Sequence, residues 1–151
     1  MKILAVEDDP SVLEVTKKRL EIAGYEVITA SEGLEGLKKA RSENPDLILL
    51  DLILPNLNGY QICSMLKQDR KYRNIPIVMF TSLSREKDIK EGFKAGADAY
   101  VAKPYDSGAL LFHIKTLLEQ RPKEKPAPSA PAPKKKPKKL GKTKRQKPKG
   151  K

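Results

Sequence analysis

Cysteine and histidine are almost missing from this sequence, which has one cysteine, Cys63, and one histidine, His113, among 151 residues. A lone cysteine cannot form an internal disulfide, and it is typical of a small protein of the reducing cytoplasm. A lone histidine with no cysteine beside it cannot build a transition-metal site. We therefore expect Cys63 to be a small apolar side chain on a helix and His113 to be an ordinary residue of the last helix.

Long hydrophobic runs are missing as well. Met1-Lys2 is followed by only four apolar residues, Ile3 to Val6, before an acidic cluster, and this is too short for the core of a signal peptide. No apolar run approaches the roughly 20 residues that a membrane-spanning helix needs. The sequence thus predicts a soluble, cytoplasmic protein with no membrane span.

Hydrophobic and aromatic residues are scarcest in the last 30 residues, 122–151. This segment contains 12 Lys, one Arg and a single Glu, so it carries the whole net charge of +12, and it also holds seven of the 12 prolines. Such a composition has nothing to bury, which favours a disordered, extended Lys/Pro-rich tail. We predict a folded domain at 1–121 and a disordered basic tail at 122–151.

Within 1–121, short apolar runs alternate with segments of helical spacing. Each run has the length of a buried strand, and five strands separated by helices favour a parallel sheet with right-handed crossovers. Asp9 is a good N-cap before Pro10, and Gly24, Gly96 and Asn44 stand where helices should end. The apolar runs are Ile3 to Val6, Val27 to Thr29, Leu47 to Leu50, Ile75 to Phe80 and Ala99 to Ala102.

The residues directly after these strands carry the candidate chemistry. In an open parallel sheet, the carboxyl ends of the strands form the binding crevice where strand order reverses. Crowded carboxylates raise one another's pKa unless a cation neutralises them, and ligands that are all oxygen select a hard ion such as Mg²⁺. Asp51 closes a hydrophobic strand and is the candidate nucleophile for an acyl phosphate, with Lys103 and Thr81 compensating charge on the phosphoryl oxygens. The strand-end residues are Glu7, Asp8 and Asp9, then Asp51, then Thr81 and Ser82, then Lys103 and Pro104.

These residues and their neighbours resemble the receiver domain of two-component response regulators, of the single-domain type known from chemotaxis, over Met1 to about Gln120. The spacings are 43 residues from Asp8 to Asp51, 30 from Asp51 to Thr81 and 22 from Thr81 to Lys103. The resemblance implies a flavodoxin-like (βα)5 fold with strand order 2-1-3-4-5. The matching segments are ILAVEDDP at 3–10, LILLDLILPNLNGY at 47–60, IVMFTS at 77–82 and GADAYVAKPY at 96–105.

The resemblance also implies roles for individual residues. Asp51 would be the phosphoacceptor, and Mg²⁺ would be held by Asp8, Asp51 and the backbone carbonyl of Ile53, with Glu7 acting through water. Thr81 and Tyr100 would form the switch pair that changes the α4-β5-α5 surface, and Lys103 and Pro104 would be joined by a cis peptide bond. Asp9 does not align with the metal pair, so we assign it to the helix cap. In this family the residues two positions after the phosphorylated Asp and the switch Thr tune the lifetime of the phosphoryl group. Here they are apolar, Ile53 and Leu83, so we predict slow dephosphorylation.

Three other functions compete with a signalling module that catalyses only its own phosphoryl transfer and dephosphorylation. A phosphatase of the haloacid dehalogenase type needs an acid two residues after the nucleophile, where this chain has Ile53. A dinucleotide-binding module needs glycines after the first strand, where carboxylates would repel a pyrophosphate. A nucleic-acid-binding protein would use the tail, which has no aromatic residue and should bind weakly and without sequence preference.

The expected partners follow from the resemblance and from the tail. A histidine kinase or a histidine phosphotransfer protein would supply the phosphoryl group, and DNA or another polyanion would bind residues 122–151. Dimerisation through the last two β/α units on phosphorylation is compatible with the sequence.

Overall fold

A computed structural model describes residues 1–103 and 107–120, which form five strands that alternate with five helices. The fold confirms the predicted five β/α units. The bounds of the elements are β1 Lys2–Val6, α1 Pro10–Ile22, β2 Glu26–Ala30, α2 Gly33–Ser42, β3 Leu47–Leu50, α3 Gly59–Lys67, β4 Ile77–Thr81, α4 Glu86–Lys94, β5 Ala99–Ala102 and α5 Ser107–Gln120.

All strand pairs are parallel, and the sheet order is β2-β1-β3-β4-β5, as predicted. The flavodoxin-like fold is confirmed. Three strands have bounds that differ from the prediction. β1 begins at Lys2 rather than Ile3, and β2 spans Glu26–Ala30 rather than Val27 to Thr29. β4 begins at Ile77 rather than Ile75 and includes Thr81. Thr81 belongs to the strand because it pairs with Ala102 of β5.

Two hydrophobic cores cover the two faces of the sheet. Alternate residues of β3 divide between them, so that Ile48 and Leu50 pack with α2 and α3 while Leu47 and Leu49 pack with α1 and α5. Because every side chain of β3 is buried, the strand can be hydrophobic throughout. Cys63 of α3 is buried in the first core, which confirms its predicted environment.

The helix ends follow the predicted signals. The Asp9 carboxylate accepts hydrogen bonds from the backbone N–H groups of Ser11 and Val12 at 2.9 and 3.3 Å, so it caps α1. Gly24 and Gly96 have φ angles of 102° and 111°, in the left-handed region that terminates helices.

Lys67 organises the sheet edge opposite to the predicted site. Its ammonium donates to the carbonyls of Arg73 and Ile75 at 3.0 and 2.8 Å and to the Asp98 carboxylate at 2.9 Å. The same carboxylate accepts from the N–H of Ile77 at 2.8 Å. One lysine therefore joins the end of α3, the loop before β4 and the start of β5.

The basic tail at 122–151 and the predicted cis peptide at Lys103-Pro104 lie outside the described residues. Within the described ranges, no helix combines the length and the apolarity that crossing a membrane requires.

Candidate functional site

Asp51 lies immediately after β3, and two hydrogen bonds to neighbouring backbone groups hold it in place. Its N–H donates to the carbonyl of Val6 in β1 at 3.1 Å, and its carboxylate accepts from the N–H of Ile53 at 3.3 Å. The residue is only 5% exposed. The carboxylate is therefore fixed at the carboxyl edge of the sheet, where strand order predicts the crevice.

Glu7 and Asp8 bring two more carboxylates to Asp51. Glu7 extends β1, and its N–H donates to the carbonyl of Ala30 at 3.0 Å. Glu7 is buried and Asp8 is exposed, and one carboxylate oxygen from each of the three acids lies within 4.8 Å of the others. The predicted convergence of three acids from two strand ends is confirmed.

Lys103 supplies the positive charge between the two buried carboxylates. Its N–H donates to the carbonyl of Thr81 at 2.7 Å, which fixes the backbone at the end of β5. Its ammonium is hydrogen-bonded to Glu7 Oε1 and lies 3.4 Å from Asp51 Oδ2. The arrangement compensates two negative charges with one cation and leaves a net negative site.

The pKa of the Glu7 carboxyl is raised above its ordinary value, and the main cause is burial away from water. The hydrogen bonds from Lys103 and from the N–H of Asp9 oppose this rise, while the charge of Asp51 adds to it. Glu7 thus holds a proton more readily than an exposed glutamate, and an added cation would favour its ionised form.

The Thr81 and Tyr100 hydroxyls both form hydrogen bonds with the backbone of Leu83. The buried Thr81 hydroxyl accepts from the N–H of Leu83 at 3.4 Å, and the Tyr100 hydroxyl donates to the carbonyl of Leu83 at 2.6 Å. Burial raises the pKa of Tyr100 to about 12. The structure therefore connects the predicted switch pair through the peptide groups of a third residue.

The sequence also matches a known family model. Residues 3–115 match the model of the response regulator receiver domain. The chain belongs to this family. A receiver domain of two-component systems is a signalling regulator rather than a classical enzyme, and the match decides against the dehalogenase-type and dinucleotide-binding alternatives for these residues.

Individual relatives agree with the family model. The receiver domain is 43% identical over 129 residues to the alkaline phosphatase synthesis transcriptional regulatory protein PhoP of Bacillus subtilis, covering 85% of this chain and 52% of the relative. It is 39% identical over 119 residues to the DNA-binding dual master transcriptional regulator RpaA of Synechocystis, covering 79% and 49%. The chain therefore spans about half the length of these curated relatives.

A solved structure shows the same fold. The crystal structure of a CheY-like response regulator receiver domain protein from Methanospirillum hungatei superimposes with a TM-score of 0.73 and 35% identity, covering 79% of this chain and 94% of that one.

The three carboxylates of the receiver domain form a donor set suited to a hard divalent cation. Glu7, Asp8 and Asp51 offer oxygen atoms only, and the open side of the cluster is at the exposed Asp8. Carboxylates in this number and spacing are typical ligands of Mg²⁺ or Ca²⁺, whereas zinc sites usually include nitrogen or sulfur ligands.

The two predicted lifetime residues lie beside the site. The Ile53 side chain is 51% exposed next to Asp51, and Leu83 is half-buried and bonded to the switch pair. The role of the Ile53 carbonyl as a metal ligand stays a prediction. Asp9 caps α1 as predicted, and His113 is half-buried in α5.

Two residues near the site were not predicted. Gly59 begins α3, and a Cβ atom there would lie 2.3 Å from the carbonyl oxygen of Asp51. The Tyr60 hydroxyl donates to the carbonyl of Asp88 in α4 at 3.2 Å. The glycine is visible in the sequence, but the requirement for it depends on a backbone approach that spacing does not reveal.

Proposed function

We propose that Asp51 accepts a phosphoryl group and that Thr81 and Tyr100 convert this event into a change at the surface of α4 and β5. The observation that supports it best is the buried Asp51 carboxylate beside Glu7 and the Lys103 ammonium. The Asp51 carboxylate has a cation at 3.4 Å and two further acids close by, the buried Glu7 and the exposed Asp8. Phosphoryl transfer requires such positioning and charge compensation.

In the proposed transfer an Asp51 oxygen attacks the phosphorus of a phosphohistidine. The new P–O bond forms as the P–N bond breaks, and the imidazole nitrogen leaves with the bonding electron pair. Lys103 would pair with a phosphoryl oxygen as a compact positive charge. The Thr81 hydroxyl would donate to another.

Asp8 and Asp51 would hold Mg²⁺ directly, with the Ile53 carbonyl as a third ligand and Glu7 acting through water. When bound, the ion would neutralise charge on the carboxylates and on the transferred group. Oxygen-only donors and the position of the exposed Asp8 at the mouth support this assignment.

The switch would begin at Thr81. The Thr81 hydroxyl accepts from the N–H of Leu83 at 3.4 Å, and its own proton could be donated to a phosphoryl oxygen on Asp51, which would pull the hydroxyl inward. The hydroxyl would thereby vacate space that the Tyr100 ring can fill. A hydrogen bond formed at Asp51 would thus change the contacts of Leu83, in the loop before α4.

The phosphoryl group should be long-lived. Neither Ile53 nor Leu83 carries a polar side chain that could orient an attacking water molecule. A half-life of seconds for phosphorylated Asp51 would contradict this part of the proposal.

The proposed partners are a sensor histidine kinase or a histidine phosphotransfer protein, in the cytoplasm. Residues 122–151 carry the net charge of +12, so we propose that they bind DNA or another polyanion without sequence preference. Retention of the full chain on DNA should then fall steeply with salt. Homodimerisation on phosphorylation is a further prediction.

Acyl-phosphate formation tests the central proposal. The full chain is incubated with acetyl phosphate and Mg²⁺, and incorporation is followed by phosphate-affinity electrophoresis. Asp51→Asn and excess chelator should each abolish a hydroxylamine-sensitive product. Asp9→Asn is the matched control, because Asn also caps helices and residue 9 lies outside the cluster. Equal labelling of Asp51→Asn and the wild type would refute the role of Asp51.

A further inference from the structure

The loop that joins β3 to α3, residues 51–58, rests on the start of α2. The Gly33 N–H donates to the carbonyl of Pro55 at 3.4 Å. The Asn56 side-chain amide donates to a carboxylate oxygen of Glu32, the residue before α2, also at 3.4 Å. The proposed function assigns no role to these contacts, although the loop begins at the proposed phosphoacceptor.

Gly33 leaves no room for a side chain where it meets the loop. A Cβ atom there would lie 1.9 Å from the carbonyl oxygen of Leu57. Non-bonded heavy atoms pack at roughly 3.5 Å, so a side chain at residue 33 would separate the two backbones by more than about 1 Å. One turn later, a Cβ at Gly36 would lie 2.9 Å from the Val6 side chain, so α2 packs closely on β1. The loop has no helix or strand hydrogen bonds along it, and it is therefore the part that would move.

A displacement of this part of the loop would reach Ile53. Only Leu54 separates Ile53 from Pro55, which accepts the Gly33 hydrogen bond. The proline ring fixes the φ angle of Pro55 and favours extended conformations of Leu54. Asn56 has a φ of 71°, in the left-handed region that few residues other than glycine adopt. With so few free torsions, the segment transmits a shift at Leu57 to the carbonyl of Ile53.

We propose that Gly33 is a positioning residue of the metal site, because it lets the loop lie against α2 and thereby places the Ile53 carbonyl for Mg²⁺. The inference rests on the proposed function, in which Asp8, Asp51 and this carbonyl hold the ion. Mg²⁺ demands near-octahedral geometry with ligands at about 2.0–2.1 Å, so a carbonyl displaced by about 1 Å no longer fits. Changes in residues that orient a metal ligand weaken metal affinity by about 10- to 100-fold.

Titration with Mg²⁺ alone tests the role of Gly33. Backbone amide NMR shifts of the full chain are followed for the wild type, Gly33→Ala and the control Gly24→Ala. Gly24 follows α1 at the amino ends of the strands, and nothing lies within 4 Å of a Cβ there. Gly33→Ala should bind Mg²⁺ about tenfold or more weakly, while Gly24→Ala should bind it like the wild type. Since Gly24→Ala also loses stability, a general effect of destabilisation would appear in both variants.

Labelling by acetyl phosphate separates metal affinity from phosphoryl transfer. The Mg²⁺ concentration that gives half-maximal labelling should rise about tenfold or more for Gly33→Ala. The labelling rate at saturating Mg²⁺ should match that of the wild type. A merely structural role of Gly33 would instead lower labelling at every Mg²⁺ concentration.

Hydrogen exchange of the wild type provides a test that needs no variant. If contact between the loop and α2 favours Mg²⁺ binding, then Mg²⁺ must favour that contact by the same factor. Exchange of the Gly33 N–H should therefore slow when Mg²⁺ saturates the site. The Gly24 N–H, which donates to the carbonyl of Glu21 at 3.0 Å, is the reference, and its exchange should stay the same.

The outcomes distinguish this inference from the proposed function. Wild-type Mg²⁺ affinity in Gly33→Ala, with weaker binding by Asp51→Asn, overturns the role of Gly33 and leaves that of Asp51 intact. Unchanged exchange of the Gly33 N–H on addition of Mg²⁺ overturns it as well, and this measurement decides the matter if Gly33→Ala does not fold. If Asp51→Asn binds Mg²⁺ as tightly as the wild type, the proposed metal site fails and the role of Gly33 fails with it.

Discussion

The Lys103 ammonium lies 3.4 Å from the Asp51 carboxylate, although the two residues are 52 positions apart in the chain. The contact exists because β3 and β5 end at the same edge of a parallel sheet, with β4 between them. The same ammonium is bonded to Glu7, so one cation stabilises two buried acids. Removal of this lysine should therefore affect both the stability of the domain and phosphoryl transfer to Asp51.

Lys103→Met should both inactivate and destabilise the domain. Without the ammonium, two buried carboxylates lose their counter-charge, and breaking such a pair costs about 3 kcal/mol. Chemical denaturation without divalent ions measures this loss, and millimolar Mg²⁺ should recover part of it. Lys18→Met is the control, since Lys18 and its partner Glu14 are both exposed and the pair should contribute less than about 1 kcal/mol. Equal losses for both variants would contradict the special role of Lys103.

Gly59→Ala should cost more stability than Gly24→Ala. A Cβ at Gly59 would overlap the Asp51 carbonyl oxygen at 2.3 Å, whereas nothing lies within 4 Å of one at Gly24. At Gly24 only the left-handed φ of 102° opposes a side chain, so Gly24→Ala should cost about 1–2 kcal/mol. We expect about 3 kcal/mol or more for Gly59→Ala, with reduced acyl-phosphate formation in that variant alone. Denaturation midpoints of the two variants provide the comparison.

Thr16→Val should stabilise the domain by about 1 kcal/mol. Thr16 is buried in α1, and among the described residues its hydroxyl is the buried side-chain polar group that lacks a hydrogen-bond partner. Valine has the same shape and helix propensity but no hydroxyl to desolvate. Thermal unfolding of the two proteins decides the sign, and a lower melting temperature for Thr16→Val would indicate a partner for the hydroxyl.

Cys63 should react slowly with alkylating reagents and should make stability decline at high pH. Burial raises the pKa of its thiol from 9.0 to about 12. Between these values the unfolded chain loses a proton that the folded domain keeps, so the free energy of unfolding falls as pH rises from about 9 to 12. Cys63→Ala should show a weaker decline over this range. Rapid labelling of the native protein by iodoacetamide at pH 8 would show that the thiol is accessible.

The apolar runs predicted a parallel sheet and the convergence of Glu7, Asp8, Asp51 and Lys103, and the resemblance to receiver domains supplied the strand order. Hydrophobic runs mark the strands, and parallel pairing brings their ends to one edge, so a strand-end position predicts proximity. Asp9 was separable from the metal pair because it precedes Pro10 at a helix start. Roles in catalysis and metal binding are not tested by proximity and stay predictions.

The sequence could not predict the hydrogen bonds that side chains make to backbone N–H and carbonyl groups. Leu83 connects Thr81 and Tyr100 through its peptide groups, and Tyr60 reaches the carbonyl of Asp88. Every residue has a backbone carbonyl group, so the order of residue types in the sequence does not show which carbonyl accepts a hydrogen bond. The extents of β1, β2 and β4 were also missed, because the ends of a strand are set by pairing with its neighbours, as between Lys2 and Glu26 or Thr81 and Ala102.

Lys67 has a mechanical consequence for α4. The side chain that joins three segments by hydrogen bonds also packs under Gly96, where a Cβ would lie 2.6 Å from Lys67 Cγ. The carboxyl end of α4 thus rests on a firmly bonded lysine, while its amino end is attached through the hydroxyls of Tyr60 and Tyr100. With its carboxyl end supported in this way, α4 would be displaced most at its amino end, which follows the loop that contains Leu83.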